Sequence, residues 1–191
     1  STPSGDRVAV QDGDYIYLRG SGSSPEGDRP FIDRFNLRNG QVRRLFQCDR
    51  GVYETFISFY GQNKSEIITS FESPTTPPNY YLVNLKTKKR TALTSFPDPA
   101  PQLTAAKRQL VKYKRNDGVE LSGFLYLPPD YQEGQRLPLV VWAYPMEYND
   151  PSTAGQVRGS PYRFTFYRGA SQLFYLTQGY AVLDNAQMPV V

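Results

Sequence analysis

From residue 15 to residue 95 the chain alternates apolar and polar positions in short runs, each broken by turn-forming residues. A period of two is the signature of strands covered on one face. The run YIYLRGSG (15–22) begins apolar and aromatic and dissolves into a polar loop over 23–28. FIDRFNL (31–37) and QVRRLFQ (41–47) flank Arg38-Asn39-Gly40, and Asn-Gly between alternating runs predicts a hairpin. ETFISFYG (54–61) and SEIITSFES (65–73) then flank Gln62-Asn63-Lys64. After a proline-rich loop, NYYLVNL (79–85) pairs with KRTALTS (89–95) across Lys86-Thr87-Lys88.

The second hairpin unit repeats the first. Asn36-Leu37 and Asn84-Leu85 lie 48 residues apart, and both end a strand that leaves into a basic turn. Four short strands at ~40–50 residues mark a propeller blade. Two hairpins of a β-sandwich would have no reason to recur at that interval. About two blades are expected over residues 1–96.

The pattern then changes. Prolines at 97, 99 and 101 predict a stiff extended linker over 97–106. RQLVKYKRNDGVELSGFLYLP (108–128) reads as a hairpin around Asn116-Asp117-Gly118. LPLVVWAYP (137–145) holds a continuous apolar run, Leu139 to Ala143, which suits a strand buried on both faces. A long loop follows to about residue 163. Residues 167–178 show helical spacing, with Gly179 where a C′ glycine is expected. YAVLD (180–184) reads as a second buried strand. Strand, loop, helix, strand is half of a parallel α/β sheet.

Composition adds limits. Apolar residues make up 39% and aromatics 14%, mostly 15 Tyr and 11 Phe, which favours a strand-built core over disorder. The net charge of +4 is mild and spread over turns and strands (Lys86 to Arg90; Lys112, Lys114, Arg115). These basic residues read as solvated charges that guard edges, not as a nucleic-acid patch. Cys48 is alone and there is no His, so neither a disulfide, a Cys or His zinc site nor a histidine base is available within the chain. No metal or cofactor is expected. No apolar run reaches the ~18 residues of a membrane span. Gly20-Ser21-Gly22 follows a strand but opens no helix and meets no Lys, so it reads as a flexible loop.

Blades, a linker, a hairpin ending in LPPDY, and LPLVVWAYP together resemble a prolyl oligopeptidase-type serine peptidase. WAYP, AGQVRGSP (154–161) and YAVLDNAQMPVV (180–191) resemble the glutamyl endopeptidase branch. The resemblance implies a mostly β chain with an α/β part: the C-terminal blades of a β-propeller over 1–96 joined to the N-terminal portion of an α/β-hydrolase domain over 107–191. Family members keep the catalytic Ser, Asp and His, in that order, beyond the matching segment. The chain has no G-x-S-x-G and no His, so on this reading it is part of a larger peptidase and is inert by itself, the remainder of the hydrolase domain being its partner.

One functional position carries over from the family. The end of its central strand supplies part of the oxyanion hole, and that position here is Tyr144. Trp142, two residues earlier on the same strand, reads as core. In the loop after Tyr144 stand Glu147, Asp150, Arg158 and Arg163. If the substrate is a peptide cleaved after Glu, a cation must meet its carboxylate, and Arg does so bidentately. Arg158 is the candidate, set against a role tying down its own loop through carbonyls or Asp150. Asp184 reads as the close of a buried strand, with no role assigned. An esterase of the same fold, or a non-catalytic propeller binding module, remains open, since fold does not fix substrate.

Overall fold

The computed structural model describes residues 9–147 and 155–190. Strands dominate, and they gather in three four-stranded sheets. The chain divides into two compact units, the first made of residues 1–22, 29–71 and 79–95 and the second of 23–28, 72–78 and 96–191.

The first unit holds two sheets whose strands are neighbours in chain order. β1 (Gln11–Asp12), β2 (Tyr15–Gly20), β3 (Phe31–Asn36) and β4 (Val42–Gln47) form one antiparallel meander. β5 (Tyr53–Tyr60), β6 (Glu66–Ser73), β7 (Thr76–Asn84) and β8 (Arg90–Ala92) form the other, in the order β5-β6-β7-β8. Alternation turns Ile32, Phe46, Ile67 and Val83 into one buried cluster, with Tyr17, Phe56, Phe59 and Tyr81 packed against it.

The 48-residue repeat is realised bond for bond. Asn36 Oδ1 accepts from the N–H groups of Arg38 and Asn39, and Asn84 Oδ1 from those of Lys86 and Thr87. Asn36 N donates to Gln41 O at 2.9 Å, and Asn84 N to Lys89 O at 3.0 Å. Gly40 and Lys88 then take the left-handed conformation, φ 73° and 61°. The asparagine side chain imitates the backbone turn and so fixes where each strand ends.

The second unit is built on a mixed sheet. β9 (Lys107–Lys114) and β10 (Glu120–Leu127) make the expected hairpin around Asn116-Asp117-Gly118. β11 (Leu139–Glu147) and β12 (Ala181–Val190) pair in parallel, and the order is β11-β12-β10-β9. Phe124, Tyr126, Leu173, Leu176 and Val182 form its core.

Five expectations need correction here. Residues 97–106 are not extended throughout: Pro101–Thr104 form one helical turn, α1, with Pro at its start and the Asp98 carboxylate accepting from Ala100 N at 2.8 Å and from the Thr104 hydroxyl. The helical spacing over 167–178 yields only a 3₁₀ segment, Gln172–Gln178, capped by Ser171 and ended by left-handed Gly179. Among the described residues the apolar run in β11 is not buried on both faces, β11 standing last in the order β11-β12-β10-β9: Leu139, Val141 and Trp142 are each more than half exposed. Trp142 is therefore not core. Finally, Asp184 does not close β12. Between Val141↔Leu183 and Ala143↔Ala186 the partner strand gains one residue, a bulge at Asp184-Asn185 with Asn185 at φ 50°.

Candidate functional site

The far half of β11 and the bulged half of β12 stand side by side, with Tyr144 opposite Gln187 and Met146 opposite Pro189. Period two then sends Tyr144 and Met146 to one face of the sheet. On that face lies a cavity of about 310 Å³, lined by Tyr144, Met146, Phe124, Asn185, Gln187 and Met188 from the strands, by Arg108 of β9, and by Arg158 to Ser160 and Arg163 from the connecting loop. The two residues singled out from sequence, Tyr144 and Arg158, thus meet at one cavity.

Tyr144 is 81% exposed, so its phenol is not consumed by packing. Arg158 reaches across to the Met146 sulfur, Nη1 to Sδ 3.7 Å. Glu147 ends β11 exposed to solvent, and Asp150 lies outside the described residues. Arg163 is engaged: its Nε donates to Glu72 Oε1 at 3.0 Å, while Phe164 N donates to Glu72 Oε2 at 3.0 Å.

The loop carrying Arg158 is held from several sides. Asp28 N donates to Gly159 O at 2.7 Å, and Gln187 Nε2 donates to Gln156 O at 2.7 Å. Gln187 Oε1 in turn accepts from Ser122 N at 2.8 Å. Ser160 is fully buried, its hydroxyl accepting from Tyr162 N. Gly27 sits so close that a Cβ there would lie 2.8 Å from Pro161 and 2.9 Å from Gly159 O. Glycine is required for that approach.

Asp184 is buried and accepts from the side-chain amides of Gln172 and Asn185. The bulge turns its carboxylate toward the 3₁₀ segment. Burial raises the pKa of Tyr126 and pushes Tyr167 up to about 12; the Tyr167 hydroxyl donates to Leu103 O instead of titrating. Burial also lowers the pKa of Arg108.

Arg108, Glu72 and Gln187 were not legible as site residues. Glu72 ends a blade-like strand in sequence, and only the fold brings it to Arg163, 91 residues away. Arg108 stands four residues before the alternating basic run Lys112, Lys114, Arg115 and carries no pattern of its own. The register Arg108↔Tyr126, which brings it over the aromatic residues of β10, is set by the hairpin.

Among the described residues no cluster of His, Cys, Asp and Glu is placed to hold a metal ion, and no helix is long and apolar enough to cross a membrane.

No protein-family model matches the chain. A probable chloroplastic glutamyl endopeptidase of Oryza sativa subsp. japonica is 39% identical over 188 residues, covering 93% of this chain and 20% of that protein. Its counterpart in Arabidopsis thaliana is 36% identical over 191 residues, with coverage of 94% and 20%. Among solved structures, Porphyromonas gingivalis dipeptidyl peptidase 4 superposes with a TM-score of 0.60 at 17% identity, over 92% of this chain and 24% of that one. The AtxE2 isopeptidase does so with a TM-score of 0.55 at 23% identity, over 93% and 24%. At these identities the solved structures speak to the fold alone. The chain spans about one fifth of the length of the curated relatives it matches. Over nearly its whole length it is therefore similar to about one fifth of each of these probable glutamyl endopeptidases.

Proposed function

We propose that this chain is the propeller–hydrolase junction of a serine peptidase that hydrolyses peptide bonds, after Glu by analogy with its relatives' names. On this reading residues 1–96 are propeller blades, 97–106 the linker, and 107–191 the start of an α/β-hydrolase domain. Two successive four-stranded sheets in chain order support the blades. The parallel β11/β12 pair inside the order β11-β12-β10-β9 supports the hydrolase start. The triad itself is supplied from outside these residues, and the chain by itself is inert.

The observation that carries the proposal is the meeting of Tyr144 and Arg158 at one cavity beside the carboxyl end of β11. An exposed phenol there is free to donate to the oxygen of a tetrahedral intermediate, where negative charge develops only in the transition state. Arg158 is placed to receive a substrate carboxylate bidentately.

The test is turnover of Glu-containing peptides by the intact protein, with and without a serine-directed inhibitor. Tyr144→Phe is expected to lower kcat by roughly 10²–10³-fold with KM little changed. No cleavage by the wild type, or cleavage that Tyr144→Phe leaves untouched, overturns the assignment. Faster turnover of esters than of peptides would point to an esterase instead.

A further inference from the structure

Arg108 is a charge with no counter-ion. It lies on β9, its guanidinium 4.2 Å from the centroid of the Phe124 ring and 5.3 Å from that of Tyr126. Its Nε–H is sealed from solvent and finds no acceptor among the described residues. Nη1 makes one long bond, 3.4 Å, to Arg163 O. Among the described residues Arg108 makes no ion pair. The two carboxylates close enough to influence it are already committed: Glu72 to Arg163 and Phe164 N, and Asp184 to Gln172 and Asn185.

A guanidinium does not shed its proton, so it answers burial only by finding an anion. The lowered pKa of Arg108 reports the same unmet need. Aromatic faces offset part of the cost. They leave the hydrogen-bonding demand in place.

The cavity beside it has the matching character. Among the described residues three arginines line it and no carboxylate does, while Met146, Ala186 and Met188 give it apolar walls. Such a site suits a side chain with a short methylene stem and a carboxylate tip.

We propose that Arg108 is a specificity-determining residue, acting with Arg158 to hold the side-chain carboxylate of an acidic residue in this cavity. The inference rests on the reading of the cavity as a peptide site. Arg34 makes a useful contrast: its Nε is also buried without a partner and it stacks over Tyr15, but it is not among the residues lining the cavity.

The experiment uses the intact protein and two probes, N-acetylglutamate amide and N-acetylglutamine amide, followed by ligand-observed NMR. The glutamate probe is expected to bind the wild type at least about tenfold more tightly than its neutral twin. Arg108→Met should abolish that preference while leaving the glutamine probe's binding unchanged, and Arg108→Lys should keep part of it. Equal binding of the two probes by the wild type, or equal losses for both in the variants, overturns the inference. Should Arg108→Met lose its cooperative melt, the Lys variant and the wild-type preference decide the matter. Peptide cleavage is scored separately: glutamate binding without any cleavage would sink the peptidase reading and leave the role of Arg108 standing.

Discussion

The two units differ in what faces the guanidinium whose Nε finds no acceptor among the described residues: Arg34 of the first stacks over Tyr15 and lines no part of the cavity, whereas Arg108 of the second lines it. In the first, each buried carboxylate has its partner. Asp33 is met by the Arg44 fork at 2.5 and 3.2 Å, and fully buried Glu54 by Arg90 at 2.5 Å and the Thr69 hydroxyl at 2.7 Å. In the second, Arg108 goes without a counter-ion, Tyr144 stands in solvent, and apolar residues of β11 are left uncovered. Satisfied polar groups hold a fold together; unsatisfied ones around a cavity have something left to bind. The contrast separates scaffold from site more sharply than the distribution of residue types does.

The strongest way to break this comparison is to remove a scaffold charge. Glu54→Ala leaves Arg90 and Thr69 facing an empty position and should cost about 3 kcal/mol, the low end for a broken buried pair because Arg90 is partly solvated. Denaturant titration of the intact protein checks this, and a loss below about 1 kcal/mol would mean the pair is not structural. Burial outweighs Thr69 and Arg90 and holds the Glu54 pKa above the usual carboxylate range. The folded state therefore binds a proton before the unfolded state does. Stability should rise as pH falls from neutral through that raised value, then level off once the unfolded carboxylate is protonated too. Glu54→Gln should flatten that slope.

Next in size is the reactivity of Cys48. It is fully buried, and burial pushes its thiol up to about 11. Two units above its ordinary value leave roughly a hundredfold less thiolate at neutral pH. Iodoacetamide labelling of the native protein should therefore be at least that much slower than labelling in denaturant. Native labelling within a few-fold of the unfolded rate would show that the first unit opens readily.

A smaller effect probes Glu72, one of the second unit's two satisfied buried carboxylates. Glu72→Gln keeps an acceptor for Phe164 N but loses the ion pair to half-exposed Arg163, and should cost about 1 kcal/mol. Its binding of the glutamate probe should change little if Arg108 and Arg158 carry that task. The smallest effects belong to the repeat: Asn36→Ala and Asn84→Ala should each cost about 0.5 kcal/mol, and alike, if the two turns are equivalent. Costs that differ severalfold would show that only one of them stops its strand.

Legibility followed the range of the interactions. β3 to β8 and their turns could be read because alternation and Asn side chains act within a few residues. β11 and β12 were legible as strands, but their apolar runs state that cover is wanted, not where it comes from. The bulge at Asp184-Asn185 left no signal, since Asn at φ 50° is permitted anywhere in a strand or loop. Tyr144 and Arg158 came from a resemblance, and the cavity they share depends on how the chain folds back. Arg108 was hidden for the opposite reason: its neighbours in sequence, Lys107 and Gln109, are exposed polar residues, and its neighbours in space lie across a hairpin.

The second unit is assembled from three separate stretches of chain, and Glu72 belongs to the middle one. During synthesis Glu72 leaves the ribosome 91 residues ahead of Arg163. At ordinary elongation rates that is roughly 5–20 s. Through that interval a carboxylate destined for burial waits in water beside strands that have already begun to pair. The ion pair that anchors the loop can therefore form only after Arg163 has been made.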